Sequence, residues 1–354
     1  MSPRRSLAAV LAVAALLGAG SIGGCAGTDP AGSQSGTSAG PQLPRLSPAQ
    51  RVRDEVARSE AAIATASQTL ADLATRCSEC AAALKQTATD AQARLAAAGG
   101  QWSPWPEADS EELAELPAPL PVGDAPLQPN RLVGYLWQTA RTQLEELAGL
   151  NEVDSAERNT LAAVLLGRLA SAQQLAKAYS VDAKTEAEAL EPEATLTSAG
   201  PSDPAGTTGA PSSSQSGPQS GGDVEQSVAQ GYDCLSSTFG TSPLLAQDPA
   251  AEQKLYDELI RRQVQLAQTT ALAQRPARCA LEFSTVDDLF AMLLATDIDL
   301  LNSPNDQVRQ WAEDWLSADL GRWSQFGTVP TVTPGLRSAP TTPATENEAD
   351  DEQS

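Results

Sequence analysis

The sequence predicts an all-α protein made of two four-helix bundles joined by a disordered linker. Apolar residues recur at helical spacing through two long segments, and no stretch alternates with period two over the length of a strand. Segments rich in Gly, Ser, Thr and Pro flank and separate them, a composition that cannot bury enough apolar surface to order itself. Only 4% of the 354 residues are aromatic, which favours small helical cores.

The amino-terminal residues 1–24 are interpreted as a lipoprotein signal peptide. Arg4 and Arg5 precede a short apolar run that is followed by small residues. The Ser-Ile-Gly-Gly-Cys sequence at 21–25 resembles the lipobox of bacterial lipoproteins, in which the Cys receives diacylglycerol and becomes the mature amino terminus. An ordinary secretory signal with an incidental Cys is the alternative. We therefore expect Cys25 to be lipidated and to anchor the chain at the extracytoplasmic face of the cell membrane.

Residues 25–46 have the composition of a flexible stalk, and residues 47–180 are predicted to form the first bundle. Ser47 and Pro48 are typical of a helix start. The apolar stripe that follows favours a hairpin bending near 76–78, although one long helix over 47–98 is the alternative. Asn130 is predicted to cap a third helix, and Asp154 a fourth. The stripe of the first two helices is formed by Val56, Ile63, Leu70, Cys77, Leu84 and Ala91.

Residues 181–221 are predicted to be a disordered linker and residues 222–326 a second bundle. Its first helix is expected over 223–239 and its second from Asp248 and Pro249. Ser284 or Thr285 is expected to cap the third helix, and the fourth is expected to open at residues 303–304. Residues 327–354 are predicted to be a disordered acidic tail. Because the linker lacks apolar residues, each bundle is expected to fold independently.

The second bundle resembles ferritin-like domains of unknown function that occur in actinobacterial proteins, often lipoproteins. The resemblance is strongest over residues 223–336, where four predicted helices are followed by the sequences Gly-Arg-Trp at 321–323 and Pro-Gly-Leu at 334–336. Residues 47–179 resemble a more distant module of the same kind. Ferritin-like proteins are known for di-iron sites built from Glu and Glu-x-x-His pairs. Relatives carry a Glu-His pair early in the first helix, where this chain has Glu225 and Gln226.

Composition argues against several functional classes. The chain contains no His, which excludes Ser-His-Asp and Cys-His catalysis and His-ligated metal. The formal net charge of −22 leaves no basic face for nucleic acid. The Glu-x-x-Glu spacings at 112–115 and 188–191 fall in Pro-rich or linker segments. We therefore expect no metal, no cofactor and no enzymatic activity, and a ferritin-like fold without a di-iron site.

Five cysteines are present, and four remain if Cys25 is lipidated. An oxidising compartment favours disulfides. Cys234 and Cys279 are predicted to pair within the second bundle, which would stabilise it by about 4 kcal/mol on the chain-entropy model. Cys77 and Cys80 form a C-x-x-C pair, interpreted as a local disulfide or as two core thiols. Redox activity and a zinc site are the alternatives.

Three functional hypotheses follow from these observations. The leading one is a membrane-anchored, non-enzymatic lipoprotein of the cell envelope that acts as an interaction or structural scaffold for envelope proteins. The second is an extracytoplasmic module that binds a small apolar ligand inside one bundle. The third is a thiol redox protein that uses Cys77 and Cys80.

Overall fold

The structure is a computed structural model, and it describes residues 42–106, 123–190, 222–239, 248–269 and 285–336, with single residues at 108, 112, 116, 118, 245 and 283. Within these ranges every regular element is a helix, so the predicted all-α class is confirmed for the described part of the chain. All of these helices belong to one compact unit that begins at Leu43. They are α1 (Pro48–Leu73), α2 (Ser78–Ala97), α3 (Pro129–Gly149), α4 (Ser155–Tyr179), α5 (Ala183–Glu188), α6 (Gly222–Phe239), α7 (Pro249–Thr269), α8 (Val286–Leu300) and α9 (Asp306–Phe326).

The first two helices form the predicted hairpin. Ser47 caps α1 and forms a capping box with Gln50, as a Ser before Pro at a helix start favours. Helix α1 ends at Leu73, the next four residues form the turn, and α2 begins at Ser78 with Cys77 as its N-cap. The two helices pack along their lengths, which confirms the hairpin and excludes one long helix.

Helix starts in the rest of the chain agree with the sequence at three positions and differ at two. Asp154 caps α4, α7 begins at Pro249, and Thr285 caps α8. The cap of α3 is Gln128 and not Asn130, because Pro129 occupies the first helical position. The cap of α9 is Asn305, while the Ser303 hydroxyl accepts a hydrogen bond from the Asn305 backbone N–H.

Helix α4 is the central element of the fold. It is buried almost all round, and it packs against α1, α2, α3, α5, α8 and α9. A helix that is apolar on every face must be surrounded by other elements. Its sequence from Leu161 to Leu169 meets this requirement, since it is almost entirely apolar.

The predicted linker contains an additional helix in its described part. Asp182 caps α5 through the backbone N–H of Thr185, and Ala183 is buried. The helix packs on α3 at Gly134, where a Cβ would lie 2.5 Å from the carbonyl oxygen of Glu186. The linker boundary at 181 is therefore wrong, because residues 181–188 have a surface of α3 to pack on. Residues 191–221 lie outside the described part of the chain.

The separation into two independent cores is not confirmed. One hydrophobic cluster contains buried residues of α1, α3 and α4 together with residues of α6, α7, α8 and α9. Polar contacts cross between the halves as well. The Asn159 amide donates to Asp299 at 3.0 Å and accepts a hydrogen bond from Asn302 at 2.7 Å. The second hydrophobic cluster is confined to the amino-terminal helices and residues near them.

The prediction of a disordered tail is wrong for its first ten residues, 327–336. Val329 is buried, and the Thr331 hydroxyl donates to Asp90 at 2.5 Å. The segment passes so close to α4 that a Cβ on Gly167 would lie 2.2 Å from the Val332 carbonyl oxygen. Residues 337–354 lie outside the described part of the chain. None of the described helices is long and apolar enough to cross a membrane.

Candidate functional site

A charged cluster lies in the core between α1, α2 and α4. The carboxylate of Glu60 accepts hydrogen bonds from Arg94 Nε at 2.9 Å and from Arg168 Nε at 2.7 Å. All three side chains are fully buried. Each oxygen of Glu60 thus serves a different arginine, and the carboxylate holds three helices together.

Both arginines also donate to neighbouring polar groups, although Arg94 Nη2 is buried without a hydrogen-bond partner among the described residues. Arg94 Nη1 donates to the Ser171 hydroxyl at 2.9 Å and to the Thr331 carbonyl at 2.5 Å. Arg168 Nη1 donates to Gln143 at 2.7 Å. Burial lowers the pKa of Arg94, and the Arg168 charge acts in the same direction, while Glu60 opposes both. The cluster therefore depends on one carboxylate to offset two buried cations.

A second cluster lies among α6, α7, α8 and α9, and each of these helices contributes at least one side chain to it. Arg262 Nη1 and Nη2 donate to the two oxygens of Asp319 at 2.7 and 3.1 Å, and Nη1 also lies 3.3 Å from Asp297. The Tyr232 hydroxyl donates to Asp297 at 2.5 Å. The guanidinium stacks over Trp315 at 4.8 Å from the ring centroid. These contacts tie all four carboxy-terminal helices to one point.

The two aspartates of this cluster differ in their electrostatics. Burial, with the neighbouring Asp319 charge, raises the pKa of Asp297 well above its ordinary value although Arg262 opposes the shift. Burial acts in the same direction at Asp319, but the bidentate Arg262 guanidinium outweighs it and lowers the pKa of that carboxyl. Of the two carboxyls, Asp297 is therefore the one that holds a proton more readily, and Asp319 is the one whose charged form Arg262 stabilises.

Two further arginines close the carboxy-terminal end of α3. Arg158 of α4 donates to the carbonyls of Leu147 and Leu150 at 3.2 and 2.7 Å, and Arg309 of α9 donates to that of Ala148 at 2.5 Å. The last carbonyls of a helix lack partners within it and carry partial negative charge. Burial and the Arg309 charge lower the pKa of Arg158. The amino- and carboxy-terminal halves therefore both contribute to this helix end.

An acidic contact links α3 and α9 nearby. Glu313 lies 3.4 Å from Arg141 Nη2 and is largely buried. Burial raises the pKa of Glu313 to about 7, the Glu145 charge adds to the shift, and Arg141 opposes it. This carboxyl changes its charge close to neutral pH.

The predicted cysteine residues fall in two groups. The sulfurs of Cys77 and Cys80 lie 2.08 Å apart, a close pair that is consistent with the local disulfide. Cys234 is disulfide-bonded, and its expected partner Cys279 lies outside the described part of the chain, as does Cys25. The remaining motif residue, Glu225, is buried and accepts a hydrogen bond from Ser303 at 2.5 Å. In the described residues no group of three or more His, Cys, Asp or Glu side chains is placed to hold a metal ion.

The described residues line two open grooves, among other surface features. The larger, about 450 Å³, runs along α1 beside residues 124–127 and is lined by Ala62, Thr65 and Leu127 among others. The smaller, about 280 Å³, lies between α3, α4 and α5 beside Trp137. Both grooves face solvent, so neither of them is the enclosed apolar cavity that the sequence predicts inside one bundle.

Sequence reasoning missed the buried arginines, although a signal is present. Arg168 stands inside an otherwise apolar run of α4, and Arg262 lies on the same helical stripe as Leu255, Leu259 and Leu266. A charged residue on a buried face requires a partner. The partners themselves come from helices distant in sequence, so spacing along one helix does not identify them.

Comparison of the chain with protein-family models, with curated proteins and with solved structures finds no match.

Proposed function

We propose that the protein is a lipoprotein anchored through Cys25 at the extracytoplasmic face of the cell membrane, where it acts as a non-enzymatic scaffold for envelope proteins. The anchoring part rests on the lipobox-like sequence at 21–25 after a basic and apolar leader. The 21 residues from 26 to 46 span at most about 75 Å when fully extended. A stalk of this length leaves the helical body free to reach partners beyond the lipid surface.

The observation that supports a scaffold is the use made of the charged side chains in the core. Glu60, Arg94 and Arg168 are buried and bond to each other, and the same holds for Arg262 with Asp297 and Asp319. Groups that act on a ligand must reach it, whereas these groups join helices. Their arrangement favours a rigid body in which the buried charged side chains stabilise the packing of the helices.

The ferritin-like character is part of the proposal. We place it in helices α6 to α9, with the amino-terminal helices as a second helical module docked against them. Side chains from all four helices meet at the centre, and Arg262 supplies there the positive charge beside Asp297 and Asp319. In this proposal the Arg262 guanidinium takes the position that metal ions have in a di-iron bundle, and it is the counter-charge of the buried Asp319 carboxylate.

Cell fractionation of a Cys25→Ala variant tests the anchor. The unchanged protein is expected in the detergent-extractable membrane fraction and to incorporate labelled palmitate, whereas the variant should lose the label and either leave the membrane or keep its signal segment. A double Cys77→Ala and Cys80→Ala variant is the matched control, because it removes cysteines without touching the lipobox. Membrane-bound, unlabelled Cys25→Ala protein with a cleaved leader would contradict the proposal.

A small-molecule binding role is the second candidate, and the groove along α1 favours it. Its volume of about 450 Å³ is within the range of ligand pockets, and Ala and Thr side chains of α1 line one wall. Native mass spectrometry of the purified protein would detect a retained compound. A Thr65→Trp variant fills the groove and should lose it, and retention in this variant would point to another site.

A further inference from the structure

The tip of the α1–α2 hairpin carries a disulfide with two unequal sulfurs. Cys77 is the N-cap of α2 and is partly exposed, whereas Cys80 is 5% exposed and faces the end of α4. Neither residue contributes to the scaffold proposed above. The exposure of the two residues therefore favours Cys77 over Cys80 as the residue that an external thiol reaches.

The surroundings of the two sulfurs also favour different states after reduction. Cys77 Sγ accepts a hydrogen bond from the Cys80 backbone N–H at 3.2 Å, and the amino-terminal end of a 20-residue helix points at it. Such an environment stabilises a thiolate. Cys80 Sγ lies 3.6 Å from the Ala178 carbonyl oxygen, which is an acceptor for a thiol proton. The site thus favours a thiolate at Cys77 and a neutral thiol at Cys80.

A docking feature lies in the same turn. Leu73 is 70% exposed, and the turn from Leu73 to Cys77 is closed by backbone hydrogen bonds of Thr75 to Leu73 and of Cys77 to Ala74. An exposed Leu in the turn that leads to Cys77 offers an apolar contact to an extended partner peptide.

We propose that Cys77 and Cys80 form a thiol–disulfide exchange site for a partner protein that carries a dithiol, with Cys77 as the sulfur that is attacked. A partner thiolate bonds to Cys77 Sγ, the Cys77–Cys80 bond breaks, and Cys80 leaves with the electron pair and takes up a proton. The second partner thiol, as a thiolate, attacks the partner's own sulfur in the mixed disulfide and releases Cys77 as a thiolate. The partner dithiol loses two electrons and two protons; the Cys77–Cys80 pair gains the two electrons and one proton, on Cys80, and the second proton passes to solvent. The reverse sequence reoxidises the pair with a partner disulfide.

Mixed-disulfide formation with oxidised glutathione measures this asymmetry. Cys80→Ser leaves Cys77 and Cys77→Ser leaves Cys80, so the two variants are matched controls for each other. We expect Cys77 to react at least about tenfold faster, because it is accessible and its thiolate is stabilised. Equal rates, or a faster Cys80, would overturn the proposal.

The unmutated chain provides a readout that does not depend on how the variants fold. The protein is reduced with dithiothreitol, treated with less than one equivalent of iodoacetamide and mapped by peptide mass spectrometry. Preferential labelling of Cys77 over Cys80 is the expected result, and equilibration of the oxidised protein with a glutathione redox buffer should transfer electrons to the pair. A pair that stays oxidised in reducing glutathione buffer would show that the disulfide is structural only.

Discussion

Replacing Glu60 by Gln should destabilise the protein strongly, although the two side chains have nearly the same shape. The carboxylate serves Arg94 through one oxygen and Arg168 through the other. The amide keeps one acceptor and turns a donor toward the second guanidinium. Two cations in a fully buried site then lose their counter-charge.

Removing one partner of a buried ion pair costs about 3–5 kcal/mol, because the remaining charge stays desolvated. We expect a loss of this size for Glu60→Gln, a large share of the roughly 5–15 kcal/mol that stabilises a folded domain. Urea unfolding followed by circular dichroism at 222 nm measures it. The melting temperature should fall by about 6–20 °C.

Glu188→Gln is the matched control. It makes the same chemical change in a pair with Lys184 that is solvent-exposed and 3.9 Å apart, and should cost less than about 1 kcal/mol. In an Arg168→Met background, Glu60→Gln should cost less than in the unchanged protein, because one of the two cations is gone. A loss below about 1 kcal/mol for Glu60→Gln in the unchanged background would refute the reasoning.

Two further predictions concern the contacts between the halves. The pKa of Glu313 is about 7 in the folded protein and 4.5 ordinarily, so the folded state holds an extra proton between these values. The free energy of unfolding should therefore fall by at most about 3 kcal/mol as the pH rises from 4.5 to above 7. Urea titrations at several pH values measure this dependence, and Glu313→Gln should remove the part that Glu313 contributes. An unchanged pH dependence in the variant would contradict the assignment. Gly167→Ala should destabilise the full chain, because the added Cβ would meet the Val332 carbonyl. In a chain that ends at Gly327 the same substitution should be nearly neutral. An equal loss of unfolding free energy in both chains would place the clash elsewhere.

The helices and most of their starts were predictable because they depend on local chemistry. The Ser47 and Thr285 caps, the Asp154 cap and the turn of the first hairpin follow from residues within one or two turns of each other. The all-α class follows in the same way from the spacing of apolar residues. Asn130 failed as a cap because Pro129, its neighbour, fixed the first helical position.

The arrangement of the helices was not predictable, because it depends on contacts between residues far apart in sequence. Asp90 and Arg94 hold Thr331, more than 230 residues away, and a tail with a polar composition gained order from that contact. Ala183 is buried because α3 offers a surface to α5. A polar segment becomes ordered where a partner supplies what its own composition lacks.

The sequence by itself determined that this protein is helical, that it is strongly acidic, that it has no histidine, and where its Cys-x-x-Cys pair stands. Each of these is a property of single residues or of a short window. Only the tertiary structure decided that both halves share one core and that Arg168 and Arg262 lie inside it, each facing a carboxylate from another helix. The physical reason is that burying a charge is favourable only with its partner in place, and the partner is brought there by the packing of whole helices.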